Sequence, residues 1–275
     1  MKQPVPQSDW LESWRKSFAC DRKEVFGDCS DPHYTIGYQN RLHHVVDLVK
    51  RHARPGGTKI LDLAAAQGNY TLTLAEHGYD VMWNDIRAEL ADYVKLKYER
   101  GTVAYKVGNA FEIDVPECFD VVLALEIIEH VAHPDVFLQQ TLRLVKPGGI
   151  LIVSTPNGGY FRHHGPKFFE CRDSSVYEEM QFKPDADGHI FCLNPAEAQQ
   201  LARNAGLEVI EMALFNTVST MGHLKLRYLH LPTRIILAVE RSAQWIPMRL
   251  REKICAAMLF ACRRSSANGQ TGKPK

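Results

Sequence analysis

No uninterrupted apolar stretch in this 275-residue chain approaches the ~18 residues that a membrane-spanning helix needs, so no such helix is expected. The first fourteen residues, MKQPVPQSDWLESW, lack an apolar core, and no secretory leader is expected there. Cysteine is sparse. The seven thiols, at 20, 29, 118, 171, 192, 255 and 262, are odd in number and never spaced Cys-x-x-Cys. That pattern excludes a zinc knuckle and a disulfide framework, and implies reduced thiols in a cytoplasmic protein. Charge of one sign is also missing. A net charge of +1 gives no global attraction to nucleic acid or to a membrane surface. There is no internal repeat and no phosphate-cradling Gly-x-Gly-x-x-Gly. What is present is ordinary for a globular protein, 45% hydrophobic and 24% charged residues, in a chain long enough for one large domain or two small ones.

Apolar runs alternate with helical patterns from about residue 40 to 215. Strands are expected at 58–66, 80–85, 102–109, 119–125, 149–155 and 207–215. Helical spacing occupies 69–77, 87–99 and 134–145, and KPGG at 146–149 reads as the turn that stops a helix and launches a strand. In 194–206, Asn194 is placed as N-cap, Pro195 as first helical residue and Gly206 as stop. Strands separated by helix-length segments imply right-handed βαβ crossovers and a parallel sheet covered on both faces. The rhythm breaks at 156–190, a polar segment long enough to be a lid. Residues 231–253 read as helix, either a cap packed on the domain or a basic amphipathic element resting on a membrane surface. The run 254–264 is assigned as a seventh strand returning to the sheet, with a continuing helix as the rival. The expected architecture is an α/β, Rossmann-like, seven-stranded, mostly parallel sheet with helices on both faces and N- and C-terminal helical caps. Its parts are an N-terminal cap at 1–40, a core at 41–215 containing the lid, a cap and last strand at 216–264, and a disordered tail at 265–275. Trp10, Trp14, Phe18 and Tyr34 are expected to fold over a bound cofactor.

The turn after a first parallel strand is where such sheets bind nucleotide-like ligands. In ILDLAAAQGNY, Gly68 permits close approach of backbone to ligand, and Ala64 and Ala66 are small enough to permit much of the same. Asp85, ending the second strand, can accept hydrogen bonds from both ribose hydroxyls. Asn109, after the third, can meet an adenine edge, and Phe111 can pack on the ring. These motifs, together with Pro147-Gly148-Gly149 before strand five, resemble the class I S-adenosylmethionine-dependent methyltransferases over roughly residues 40–215 and beyond. The resemblance assigns Asp62, Ala64, Gly68, Asn69, Asp85, Ile86, Asn109, Ala110, Phe111 and Leu125 to the binding of S-adenosylmethionine. The chain departs from the family where Ala64 and Ala66 replace the usual glycines and Asn109 the usual aspartate. An NAD-binding Rossmann domain is the rival, disfavoured by the missing pyrophosphate cradle.

The segment ALEIIEHVAHP crowds Glu126, Glu129 and His130 just past strand four. If 126–131 is a helical turn, they stand at i, i+3 and i+4 on one face. A divalent cation, Mn²⁺ or Mg²⁺, turns the mutual repulsion of such a set into binding. His189, at the end of the lid, is the expected fourth ligand. A Glu-x-x-Glu-His followed by a distant histidine resembles two groups within the family. One methylates the 2′-oxygen at the 3′ ends of small RNAs, and the other methylates a catechol oxygen in ubiquinone biosynthesis. His133, His163 and His164 are weaker candidates, and His130 or His189 could instead take the acceptor's proton.

The expected function is an O-methyltransferase acting on a hydroxyl of a small diol, sugar or catechol, with a divalent metal assisting. The alternatives are an RNA 3′-terminal 2′-O-methyltransferase, disfavoured by the near-neutral charge, and a non-catalytic S-adenosylmethionine-binding scaffold. Lid aromatics Tyr160, Phe161, Phe168, Phe169, Tyr177 and Phe182 either face the acceptor or form the lid's own core. Peripheral membrane contact is expected, if anywhere, through 231–264.

Overall fold

Segments such as Val121–Ala124 are apolar at every position, which suits strands buried on both faces rather than one. The computed structural model describes residues 1–28, 32–112, 118–181, 188–223 and 231–264. Its seven strands are β1 (Lys59–Leu63), β2 (Asp80–Asp85), β3 (Thr102–Val107), β4 (Phe119–Leu125), β5 (Val145–Pro156), β6 (Leu207–Thr217) and β7 (Cys255–Arg264). They form one sheet in the order β3-β2-β1-β4-β5-β7-β6. Strands β1 to β5 pair in parallel, and β7 enters between β5 and β6 antiparallel to both. The run 254–264 is therefore the seventh strand.

Alternate residues of the central strands enter two different cores, as a two-residue side-chain period requires. Leu61, Val122, Ala124, Leu151 and Val153 meet α5 (Pro134–Leu142) and α6 (Pro195–Asn204) on one face. Ile60, Val121, Leu123, Ile150 and Ile152 meet α2 (Pro32–His52) and α3 (Asn69–Glu76) on the other. Helix α4 (Ala88–Lys97) completes the layer beside β2, with Leu90, Ala91 and Val94 on Trp83. Helix α6 begins with a capping box in which Asn194 accepts from the Glu197 amide and Glu197 accepts from the Asn194 amide. Gly206 follows it with φ 77°. Among the described residues no helix is long and apolar enough to cross a membrane.

Several boundaries differ from the sequence expectation. KPGG lies inside β5, which starts at Val145, because the Leu144 carbonyl already accepts from the Phe119 amide (3.2 Å) and captures the chain for pairing. The register shift between Phe119 and Val121 absorbs the turn, and α5 correspondingly ends at Leu142. The helix expected over 231–253 is two helices, α7 (Thr233–Ala243) and α8 (Met248–Ile254), broken before Pro247. Helix α2 runs through the expected boundary at residue 40. The expected disordered tail, 265–275, lies outside the described residues, as does Phe182.

The N-terminal cap is anchored by a buried ion pair that pattern reading missed. Asp21, on α1 (Glu12–Glu24), accepts from Lys97 Nζ (2.7 Å), Tyr93 Oη (2.7 Å) and Asn69 Nδ2 (2.8 Å). Lys97 Nζ also donates to Asn69 Oδ1 (2.6 Å). Asp21 and Lys97 are both wholly buried, and burial, offset by Asp21, leaves the Lys97 ammonium pKa below its ordinary value. Trp10 and Trp14 pack against Tyr93, with Phe18 on Trp10. Trp10 and Trp14 therefore cover α4, with Phe18 behind Trp10, and none of the three lines the cleft at the carboxyl ends of the strands.

Two outcomes follow for stability. Lys97→Ala strands the Asp21 carboxylate in the interior and should lower unfolding free energy by about 3–5 kcal/mol in chemical denaturation. Ala64 and Ala66 sit in the left-handed region, at φ 51° and 45°, where a Cβ is strained by roughly 1–2 kcal/mol. Ala66→Gly relieves that strain but adds unfolded-state entropy, so the melting midpoint should hold or rise, by at most about 1 kcal/mol in stability.

Candidate active site

The sheet reverses its winding between β1 and β4, and the cleft lies at the carboxyl ends of these strands, where an α/β sheet opens. Its volume is about 570 Å³. From the cofactor set expected in the sequence, Asp62, Ala64, Asn69, Asp85, Ile86 and Leu125 line it, together with Ala65, Ala66 and Gln67 of the loop.

Asp62 is buried and accepts from Thr71 Oγ1 (2.5 Å), while burial pushes its carboxyl up to about 7. Asp85 accepts from the Ala66 amide (2.9 Å) and the Arg87 amide (2.9 Å), and Arg87 folds back on it through Nε (2.9 Å) and Nη2 (3.0 Å). The carboxylate thus fixes the loop's shape, and its lone pairs toward the cleft are shared with a half-exposed guanidinium. Arg87 carried no motif signal.

The φ of Gly68 is 70°, and a Cβ there would stand 2.8 Å from both methyls of Val94, so glycine lets α3 start tight against α4. Asn69 is committed to Asp21, Lys97 and Tyr38. Asn109 turns inward on its own segment, accepting from the Phe111 amide (3.0 Å) at the start of a 3₁₀ turn, Ala110–Glu112. Phe111 packs edge-on against Phe137 (5.8 Å). Gly68, Asn109, Ala110 and Phe111 are not among the residues lining the cleft.

At its far end the cleft reaches Glu126 and His130. The single helical face expected for residues 126–130 does not form. Glu126 has φ 54°, in the left-handed region, because its amide donates to Ser154 O (2.9 Å) as β4 leaves the sheet. A 3₁₀ turn, Ile128–His130, follows. The reversal separates the two glutamates. Glu126 accepts from Ser154 Oγ (2.8 Å) and pairs with Arg41 of α2 (2.9 Å). Glu129 turns inward, with Thr155 Oγ1 donating to its Oε2 (3.0 Å). Its Oε1 is buried without a partner. Burial first, then the Glu126 charge, holds the Glu129 carboxyl well above the usual carboxylate range.

His189 arrives from far along the chain because backbone bonds fix it there. The Glu129 carbonyl accepts from the Ile190 amide (2.6 Å) and the Phe191 amide (3.4 Å), and His130 Nδ1 lies 3.3 Å from Gly188 O. The His130 and His189 rings stand 5.2 Å apart. One ligand atom from each of Glu129, His130 and His189 lies within 4.8 Å of the others. Glu126 does not belong to that group.

A second cavity, of about 450 Å³, adjoins the first and shares Glu24, Tyr38, Arg41 and Glu126 with it. His189, His163, Tyr34 and Pro156 lie on its walls. Sequence reading missed Glu24, Tyr38 and Arg41, because none is within a strand-end motif and only tertiary placement brings them to the cleft; Tyr70, which closes ILDLAAAQGNY, was passed over as well. Three of the five described lid aromatics are lid core. Phe168 and Tyr177 pack edge-on against Phe191 (5.3 and 5.4 Å), and Tyr160 is buried with its hydroxyl 2.6 Å from His223 Nδ1. Phe161 and Phe169 are exposed. The lid gives the cofactor cleft Met180. His133 is taken up by Glu178 and Ser174 (2.9 Å each), and His164 is exposed.

Comparison with known proteins agrees with this geometry. A sequence profile described as a methyltransferase domain matches residues 36–212. The ubiquinone biosynthesis O-methyltransferase of Cereibacter sphaeroides strain ATCC 17023 is 31% identical over 193 residues, 68% of this chain and 75% of that protein. The protein of the same name from Azorhizobium caulinodans is 38% identical over a shorter stretch, 42% of this chain and 51% of that one. Among solved structures, an S-adenosylmethionine-dependent methyltransferase from Mesorhizobium loti superimposes with a TM-score of 0.53 at 14% identity, over 81% of this chain and 100% of that one. The [4+2]-cyclase SpnF superimposes with a TM-score of 0.51 at 16% identity, over 82% and 81%. At such identities the two structures establish the fold alone. The matched profile and the Cereibacter relative go further, and with the strand order and the cleft they carry the conclusion that this chain belongs to the class I S-adenosylmethionine-dependent methyltransferases.

Proposed function

We propose that the protein transfers the methyl group of S-adenosylmethionine to a hydroxyl oxygen of a small molecule carrying two adjacent oxygens, with a divalent cation held by Glu129, His130 and His189. The observation that carries this reading is the convergence of a Glu129 carboxylate oxygen with one ring nitrogen from each of His130 and His189, all within 4.8 Å of one another, on a carboxylate whose Oε1 is buried without a hydrogen-bond partner. A buried carboxylate oxygen left without a hydrogen bond costs free energy that a cation returns. One carboxylate and two imidazoles suit Mn²⁺, Fe²⁺, Co²⁺ or Zn²⁺, and Mg²⁺ less well. The relatives named for an O-methylation step support an oxygen acceptor.

The cofactor contributes an electrophilic methyl on a sulfonium. A divalent cation held by Glu129, His130 and His189 would supply Lewis acidity, lowering the pKa of a hydroxyl beside it toward neutral. The chain's own residues do the rest. Thr155 fixes Glu129 so that Oε1 is the free oxygen, and Arg41 neutralises Glu126, which lessens its repulsion of an anionic acceptor oxygen. The second cavity seats the acceptor beside His189 while the first seats the cofactor, with Tyr38 and Arg41 between them. Holding the two reactants in adjoining cavities removes much of the entropic barrier of a bimolecular displacement.

Two measurements test this. Glu129→Ala should lose Mn²⁺ binding by calorimetry and metal-restored turnover on a panel of catechols, diols, sugars and short RNAs, while keeping its affinity for S-adenosylmethionine. Normal turnover of that variant in EDTA would remove the metal from the reading. Asp85→Ala should instead weaken cofactor binding first. The second measurement uses pH. Asp62 lies in the cofactor cleft with its pKa raised to about 7, and a cationic ligand needs it as carboxylate. Its proton must leave on binding below that value and is already gone above it. Cofactor affinity should therefore fall by up to about tenfold per pH unit below pH 7 and level off above it, and Asp62→Asn should flatten the profile.

A further inference from the structure

Helices α7 and α8 carry a surface that the methyl-transfer site does not use. Helix α7 turns Ile236, Glu240 and Ala243 inward, at i, i+4 and i+7. Its other side exposes Ile235 and Val239, each 43% accessible. The turn that follows presents Trp245 at 91%, and α8 adds Leu250 at 59% and Met248 at 37%. A shallow apolar groove of about 720 Å³ runs alongside, lined by Ile235, Ala238, Val239, Ile246 and Ile254. Large apolar side chains gathered on one exposed surface mark a contact site.

The charges on this surface have one sign. Its exposed ionisable residues are Arg234, Arg241, Arg249 and Lys253. Both acids of the segment are withdrawn. Glu240 is buried and accepts from the Asn216 amide (2.8 Å), the Thr217 amide (2.9 Å) and Thr220 Oγ1 (2.7 Å). Glu252 is half-buried, its carboxylate drawn against Gly159 and 3.7 Å from Lys253. The chain as a whole is nearly neutral, at +1, so this concentration of basic charge beside exposed tryptophan and leucine is local.

We infer that the α7–α8 surface docks on an anionic phospholipid bilayer. Trp245, Leu250, Ile235 and Val239 enter the boundary between headgroups and acyl chains, and the four basic residues face lipid phosphates. Charge complementarity selects this occupant, since a neutral apolar partner would cover the exposed guanidiniums of Arg234, Arg241 and Arg249 without supplying any counter-charge. The surface also adjoins the second cavity. Thr217 and Val218 line the groove, and Asn216 and Met221, close by in the same segment, line the cavity. A docked protein therefore holds that cavity near the lipid surface, within reach of an acceptor dissolved in it.

The test uses the full chain and vesicles of phosphatidylcholine with and without phosphatidylglycerol. Co-sedimentation is expected with the anionic vesicles only, and high salt should abolish it. Trp245 is far more exposed than Trp10, Trp14 or Trp83, so a blue shift of emission on binding should vanish in Trp245→Phe. Arg234→Gln, Arg241→Gln and Arg249→Gln keep the apolar face and should each lower partitioning about fivefold. Trp245→Ser with Leu250→Ser should remove binding. Equal binding to neutral vesicles, or no binding to either kind, overturns the inference. So does a concentration-dependent dimer that the double serine variant disperses, which would assign the surface to a second copy of the chain.

Discussion

The Glu129 carbonyl accepts hydrogen bonds from the amides of Ile190 and Phe191, and the chemistry proposed for this protein depends on that tie. It joins the segment after β4 to the far end of the lid, some sixty residues on, and brings the His189 ring beside His130. Phe191 is wholly buried behind it, ringed by Phe168 and Tyr177. The lid therefore has a core of its own, and that core holds an imidazole on the wall of the second cavity, beside His130 at the end of the first. Without the tie, Glu129 would be a buried carboxylate with an orphaned oxygen and one neighbouring imidazole.

Buried polar groups join the caps to the sheet in the same manner. Asp21, Lys97 and Asn69 link α1 to the helices beside the cofactor loop, so Asn69 is a bridge within the protein as well as a wall of the cleft. Glu240 of α7 holds the end of β6, where Asn216 takes a left-handed conformation and donates to Gly37 O of α2. Each linkage is costly to desolvate and is satisfied by several short hydrogen bonds, the condition under which buried charge fixes one arrangement. Both caps meet at α2, the helix that carries Arg41 to the boundary between the two cavities.

Arg41 and Glu126 show how the site manages charge. Two glutamates and two histidines follow one another closely in sequence or converge in space, yet the reversal at Glu126 divides the carboxylates between different partners. One is neutralised by a guanidinium; the other is desolvated and held by a hydroxyl with one oxygen free. Burial and the neighbouring charge both raise the Glu129 pKa, which is the environment a cation relieves. Arg87 does for Asp85 what Arg41 does for Glu126, so each end of the cofactor cleft has an acid held by an arginine that sequence motifs do not reveal.

The centre of the sheet was legible in the sequence because its strands are buried on both faces and so read as apolar runs, such as residues 121–124 and 150–153. Asp62, Asp85 and the acids after β4 were legible for a related reason, since polar residues that end such runs must lie at the sheet's carboxyl edge. The capping box of α6 was local enough to read as well. Tertiary structure alone decided the division of Glu126 from Glu129, the use of Gly68 against Val94, the inward turn of Asn109, the break between α7 and α8 and the position of Arg41. Each depends on contacts between residues distant in the chain, or on a backbone reversal imposed by a neighbouring strand. Side-chain periodicity carries no information about either, because it records which face a residue presents and not what that face meets.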